Sequence, residues 1–371
     1  MHQIKGLYVH IPFCDGKCFY CAFYSRPYES GLARRYLRAL ESELKLFPPL
    51  TPETIYFGGG TPSMLSRTEL QDLCTIIKEN VSTAALKEWT VECNPGSLTA
   101  EKLDVLARAG VNRISLGAQS FDDSALKWLG RRHSAADIYE AAQMIKAAGF
   151  DNFGTDLIAC IPGFKPDDWR KTLDAAVALT PKHISVYALT REEGTRLANS
   201  VSQRQVKPLT DDEELKMLNI AAILLANEGY QRYEISNYAQ PGFECLHNLS
   251  CWRGEEYIGL GPAAASHVGL KRWTNLPDLG KYLKAIEHGK KPPRALDILT
   301  EKLKKIEKIV FGLRMAEGIS EATATICEKT LRGLCEQGLV LNTDGRWRLT
   351  ERGMNLADYV GTELLIAENA E

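Results

Sequence analysis

The chain has 371 residues, 44% of them hydrophobic and 25% charged, with a formal net charge of −2. That is the balance of an ordinary folded globular protein, long enough for two or three modules. The near-neutral charge argues against broad electrostatic binding to nucleic acid or anionic lipid.

Over the first 230 residues strand-like and helix-like segments alternate. Met1–Gly6 shows no charged start, apolar run and cleavage site, so no signal peptide is expected. No apolar stretch reaches the roughly 18 residues of a membrane span, and the expected location is cytoplasmic. Strands are predicted at Leu7–Ile11, Thr54–Phe57, Trp89–Glu92, Arg113–Leu116, Gly154–Ile158 and His183–Ala188. Between them, apolar residues recur at helical spacing over Leu32–Leu46, Glu69–Ile77, Glu101–Ala109, Ala135–Ala148, Trp169–Leu179 and Glu213–Glu228. Ser66 with Glu69 completes a capping box, Thr99 is a further N-cap, and Gly110 and Gly149 fall where helices stop. Six βα units imply a parallel sheet covered by helices, in the form of a partial (β/α)6 TIM-like barrel over residues 1–235.

Residues 236–295 read as a connecting segment with a glycine-rich run from Gly254 to Gly269, closed by the linker-like Lys290–Arg294. From 296 to 371 helices precede Gly338–Leu349, where Asp344-Gly345 sits between alternating apolar residues as a hairpin turn. That order reads as a winged-helix-like α+β domain. Its hairpin carries two arginines, Arg346 and Arg348, so docking or structure is expected there and not DNA binding.

Ten cysteines are present, and three of them form Cys14-Asp-Gly-Lys-Cys18-Phe-Tyr-Cys21, a C-x3-C-x2-C triplet on the loop after the first strand. In a reducing compartment such a group points to metal, and scattered cysteines to small buried side chains. Three thiolates on a short loop bind three irons of a [4Fe–4S] cubane and leave the fourth open, where ordinary electron-transfer clusters use four cysteines. The open iron can chelate the amino and carboxylate groups of S-adenosylmethionine. The competing reading is zinc with a fourth ligand elsewhere; zinc sites more often show C-x2-C pairs.

The other strand ends carry polar residues, where α/β folds place ligands. Gly58-Gly59-Gly60-Thr61-Pro62 follows the second strand, and its exposed backbone groups are expected to hold the ammonium and carboxylate of the methionine moiety. Glu92 ends the third strand, Gln119 the fourth, Asp156 lies in the fifth, and Arg131 follows in Leu-Gly-Arg-Arg-His. Taken singly each fits a satisfied core polar group; taken together they describe one pocket.

Tyr8-Val-His-Ile-Pro-Phe-Cys14, the triplet, Gly58–Ser63, Gln119-Ser-Phe and Asp156-Leu-Ile together resemble the oxygen-independent coproporphyrinogen III oxidase family of radical-SAM proteins, over nearly the whole chain. The resemblance implies cluster ligation by Cys14, Cys18 and Cys21. It places Tyr8 and Tyr20 against the cluster and adenosyl region, and Gly59, Gly60 and Thr61 at the methionine moiety. Glu92, Gln119, Arg131 and Asp156 would complete the S-adenosylmethionine pocket, with Ala265 closing over it.

Two branches of that family differ. The oxidases carry a further cysteine two positions after the third, where this chain has Phe23, and an N-terminal extension ahead of the triplet, where here the first cysteine is residue 14. The haem-chaperone branch carries His-Asn-x-x-Tyr-Trp, and this chain has His247-Asn-Leu-Ser-Cys251-Trp252. By itself His247 fits a buried, hydrogen-bonded histidine; the resemblance turns it toward haem, with Cys251 in the tyrosine's place. The expected function is a haem chaperone binding the cluster, S-adenosylmethionine and haem as cargo, with haem-requiring respiratory proteins and a reduced electron donor as partners. The alternatives are oxidative decarboxylation of coproporphyrinogen III, or a radical-SAM methyltransferase acting on haem.

Overall fold

The computed structural model describes residues 3–369. Met1 and His2, the start of the segment in which no signal peptide is expected, and the last two residues of the C-terminal segment lie outside them.

Seven parallel strands form the centre of a twelve-stranded sheet. β1 is Gly6–Ile11; the short β2, Phe13–Cys14, and β3, Arg26–Pro27, pair beside it. β4 is Thr54–Gly59, β5 Glu88–Cys93, β6 Arg113–Gln119, β7 Phe153–Ala159 and β8 His183–Ala188. β9, Gln231–Arg232, and β10, Asn237–Ala239, close one edge antiparallel. β11, Tyr257–Leu260, pairs parallel with β1 on the other side, followed antiparallel by β12, Ala265–Val268, β13, Lys271–Asn275, and β14, Arg294–Ile298. The first and last strands do not pair, so the barrel stays open.

The predicted helices appear as α1 Ser30–Leu44, α2 Arg67–Asn80, α3 Ala100–Ala109, α5 Ala135–Ala147, α6 Pro166–Ala178 and α8 Asp211–Asn227. The short α4, Asp123–Leu129, and α7, Arg196–Ser202, are additions to the reading. Ser66 makes its capping box with Glu69, and Gly110 ends α3 in the left-handed conformation. Gly149, also left-handed, lies one residue beyond the α5 C-cap, Ala148.

The strands alternate, and this sets the site. Leu7, Val9, Ile11, Ile55, Phe57, Trp89 and Val91 face the helices and are fully or almost fully buried. Opposite parity puts Tyr8, His10, Thr54, Tyr56, Glu88, Thr90, Glu92, Arg113, Ser115, Asp156, His183, Ser185 and Tyr187 on the inner face. The apolar layer between sheet and helices is the main core; the barrel interior is polar.

Beyond residue 235 the chain does more than connect. The expectation of a linker at Lys290–Arg294 is corrected at its end: Arg294 opens β14, an edge strand exposed at all five residues. A strand with no buried face leaves no period-2 pattern in its sequence. α9, Leu246–Trp252, lies under the N-terminal ends of β1, β4 and β5, and α10, Leu279–Glu287, packs on α1. Buried Glu43 of α1 ties this region down, accepting from Gly261 N at 2.8 Å, Asn275 Nδ2 at 2.9 Å and Tyr282 Oη at 2.8 Å.

α11, Glu301–Leu313, begins a second hydrophobic cluster. It continues with β15, Ile319–Ser320, α12, Glu321–Ala324, and α13, Glu328–Glu336, before the hairpin of β16, Val340–Thr343, and β17, Arg346–Leu349. Asp344 and Gly345 turn the hairpin with φ of 54° and 68°, as a type I′ turn requires. Trp252 of α9 meets this module, its ring 6.0 Å from Phe311 and under the Arg314 guanidinium at 4.9 Å.

Candidate functional site

The cysteine loop leaves the C-terminal end of β1 and is fastened at base and tip. Arg26 N donates to Pro12 O and Tyr28 N to Cys14 O, while Phe19 N donates to Leu129 O and Leu197 N to Phe19 O. Arg196 Nη2 holds Lys17 O at 2.7 Å. Cys14, Cys18 and Cys21 are free and half-buried; Cys74, Cys93, Cys160, Cys245 and Cys327 are buried elsewhere.

Behind the loop runs a polar chain that links two of the thiols. Cys14 Sγ lies 3.4 Å from Thr61 Oγ1, which accepts from Asn94 Nδ2 at 3.2 Å. Asn94 Oδ1 accepts from Arg131 Nη2 at 2.6 Å, and Arg131 Nη1 reaches Cys18 Sγ at 3.6 Å. Arg131 Nε is buried and has no partner among the described residues. Burial pushes the Cys14 and Cys21 thiols up; a bound metal reverses this by its own charge. Among the described residues no three His, Cys, Asp or Glu side chains converge tightly enough to hold one metal ion. A cubane places its three sulfur ligands on three separate irons and does not ask the thiols to meet at a point. The donor set, the arginine beside it and the unpartnered Nε fit a cluster with an anionic ligand.

The glycine turn corrects part of its expected role. A Cβ at Gly58 would lie 2.9 Å from the Glu92 carboxyl, at Gly59 2.3 Å from the His10 ring, and at Gly60 2.6 Å from Ile11 O. The three glycines are therefore demanded by the chain's own packing. The N–H groups of the last two and of Thr61 are also committed: Gly59 N to Glu92 Oε2 at 3.2 Å, Gly60 N to Ile11 O, Thr61 N to Phe13 O. The turn can present carbonyl acceptors, which suit an ammonium; a carboxylate needs the donors of Arg131 instead.

Tyr8, Glu92 and Asp156 stand on the inner face of their strands, and Gln119 ends β6. Glu92 Oε1 accepts from Tyr56 Oη at 2.8 Å, and burial lifts its carboxyl to about 7. Ser115 Oγ donates to Asp156 at 3.0 Å, and burial raises that carboxyl too. Tyr8 Oη lies 3.2 Å from His10 Nδ1, and His10 Nε2 lies 2.9 Å from Tyr24 O, so His10 braces the loop. Burial holds the Tyr8 and Tyr20 hydroxyls well above the phenol range. Gln119 takes φ 68° where β6 shifts register; a non-glycine residue held there is a strained position of the kind found at binding sites. Ala265 opens β12, its carbonyl filling the space where a Gly259 side chain would go, and Gly259 pairs with Tyr8.

His247 lies at the opposite end of the strands. Its Nδ1 is 2.8 Å from Thr54 Oγ1, its ring stacks on Tyr56 at 5.1 Å, and only 6% of its surface is exposed. Burial lowers its pKa to about 4, leaving it neutral. Glu88 Oε1 and Oε2 take the His247 and Leu246 N–H groups that open α9. The mouth and His247 are thus separate places, not the two sides of one pocket.

Tyr56, Asn94, Thr54 and Arg113 were missed in the sequence. The signal was present: Thr54-x-Tyr56, Glu88-x-Thr90-x-Glu92 and Arg113-x-Ser115 are polar at every second position of apolar strands.

A parallel sheet open at its edge, with three cysteines on its first loop, defines a protein of the radical-SAM class. The Radical SAM superfamily model matches residues 8–176. A solved structure titled coproporphyrinogen III oxidase (HemN) from Escherichia coli shares the fold at a TM-score of 0.84 over 98% of this chain and 90% of that one, with 24% identity. Within that class the chain belongs to the HemW family. It is 33% identical to the heme chaperone HemW of Lactococcus lactis over 99% of this chain and 98% of the relative. It is 32% identical to that of Escherichia coli over 98% of both, and 34% to that of Mycobacterium tuberculosis over 98% of this chain and 95% of the relative.

Proposed function

We propose that the protein is a cytoplasmic haem chaperone. It carries a [4Fe–4S] cluster on Cys14, Cys18 and Cys21, binds S-adenosylmethionine at the barrel mouth, and passes haem held by His247 to haem-requiring respiratory enzymes. The observation that carries the cargo assignment is the placement of His247, buried with its Nδ1 committed to Thr54 Oγ1 at 2.8 Å; burial also favours the neutral ring. Fixing one ring nitrogen orients the other as an iron ligand. Relatives named heme chaperone HemW support the same reading.

When bound, the cluster supplies an open iron and a route for one electron to the sulfonium. Around it, this chain's residues bind and orient. The carbonyls of Gly58–Gly60 would meet the ammonium, Arg131 the carboxylate, and Glu92, Gln119 and Asp156 the polar edges of the adenosyl group. In this reading the cofactors govern when haem is handed over.

Coproporphyrinogen III oxidation is the alternative, and the interior charges weigh against it. A substrate with four carboxylates asks for cations around it. The inner wall offers Glu88, Glu92 and Asp156 with Tyr8, Tyr56 and Tyr187, against Arg113 and, at the mouth, Arg131.

The test is anoxic reconstitution followed by haem titration and assay with a reductant and S-adenosylmethionine. The expected result is a stoichiometric haem complex lost in His247→Ala, with coproporphyrinogen left unchanged. Decarboxylated product, or haem binding indifferent to His247→Ala, overturns the proposal. A methylated or opened tetrapyrrole in the mass spectrum replaces it with haem modification.

A further inference from the structure

Arg113 begins β6 and points into the barrel, 2% exposed. A guanidinium carries five donors and stays charged, so one sealed inside a fold normally has a carboxylate against it. Here the Nε is buried without a partner, and no ion pair of Arg113 is formed among the described residues. Glu88 lies within its field, but both Glu88 oxygens are spent on the first turn of α9 and Oε1 also accepts from Cys245 Sγ.

The neighbours repeat the imbalance. Thr90, which pairs with Arg113 across the strands, has a buried hydroxyl with no partner. His183 Nε2 accepts from Tyr233 Oη at 2.8 Å in the tautomer that puts the ring proton on Nδ1, which is buried and has no partner among the described residues. Between these strands β7 supplies Gly154, and His183 packs into the space a side chain there would take; a Cβ would lie 3.2 Å from its Nδ1. Asn237 Oδ1 is a further buried atom without a partner. The lower half of the barrel thus holds a charged donor, a hydroxyl and a ring nitrogen with nothing to meet them.

We infer that Arg113, with Thr90 and His183, forms a buried carboxylate-binding position on the inner floor of the barrel. A planar carboxylate matches the guanidinium fork with two parallel hydrogen bonds and leaves lone pairs for the hydroxyl and the imidazole N–H. Its source is either a free small carboxylate or the propionate arm of a tetrapyrrole seated at His247, which shares this floor through Thr54 and Glu88. The second source rests on the cargo reading proposed above.

The experiment titrates the full-length protein with haem, with haem dimethyl ester and with sodium propionate. If the arm is a propionate of the cargo, the wild type binds haem at least tenfold more tightly than the ester. Arg113→Gln then brings the two within twofold, and Arg113→Lys retains part of the preference. If the source is a free carboxylate, millimolar propionate raises the melting temperature of the wild type and not of Arg113→Gln, whatever haem does. Failure of both haem and ester to bind would sink the cargo reading and leave the propionate result to decide this one. Equal affinity for haem and ester, with no effect of propionate, overturns the inference and assigns the floor to water. That comparison needs only the wild type, so poor folding of a variant does not shelter the proposal.

Discussion

The Tyr56 hydroxyl donates to Glu92 Oε1 at 2.8 Å, and the face of the same ring meets His247. Glu92 in turn accepts Gly59 N, so one tyrosine stands between the glycine turn at the mouth and the histidine at the floor. Tyr56→Phe keeps the ring and removes the hydrogen bond. A buried acceptor left short of a donor costs about 1–3 kcal/mol, to be read from the urea midpoint. The Glu92 carboxyl should rise further, since the Tyr56 bond holds it down; S-adenosylmethionine affinity should fall with it.

Each of Cys14→Ser, Cys18→Ser and Cys21→Ser is expected to abolish reconstitution of about four iron and four sulfide per chain. Cys74→Ser is the control. Cys74 is buried in the core and its thiol is pushed up to about 12, so it has no thiolate to offer. Full iron content in any of the three loop variants would remove the cluster assignment.

Thr54→Val removes the partner of His247 Nδ1 without changing the shape of the side chain. Partners that fix a ligating histidine are typically worth about 10–100-fold in affinity. Haem affinity measured by the Soret band should drop by that order, while S-adenosylmethionine binding at the far end of the barrel stays constant.

Gly60→Ala drives a Cβ into the carbonyl of Ile11 and the backbone of Phe13, at 2.6 and 2.8 Å. Backbone cannot turn aside, so a loss of about 2–4 kcal/mol is expected from overpacking. Gly31→Ala in α1 has open space around it and should leave stability unchanged or raise it by up to about 1 kcal/mol. Calorimetry of the two variants checks the contrast.

Glu43 should make stability depend on pH. Burial lifts its carboxyl from 4.5 to about 7, so the folded state binds the proton more tightly than the unfolded chain. A raised carboxyl stabilises fully below the unfolded value, and this is lost as pH climbs toward 7. The range is worth about 3 kcal/mol. Between pH 4.5 and 7 the Glu43→Gln variant should show a flatter decline in unfolding free energy than the wild type.

Local spacing made much of the molecule legible. Cys14, Cys18 and Cys21 lie within eight residues, so their common site follows from the chain's own reach. The capping box at Ser66, the left-handed Gly110 and the Asp344-Gly345 hairpin are likewise near-neighbour effects. The strand β11 is different. It joins β1 from more than 240 residues away, and its apolar run Tyr257–Leu260 does not say which edge it will find.

The amino-acid order by itself determined the βα rhythm, the thiol loop and the glycine turn, because each is settled by steric and hydrogen-bonding rules acting over a few residues. Closure decided the rest. It spent the N–H groups of Gly59 and Gly60 on the protein itself, set His247 against Thr54 across 193 positions, and left the Arg113 Nε without a partner among the described residues. Partners of that kind are fixed by which strand ends meet when the sheet curls, and no short stretch of sequence contains that information.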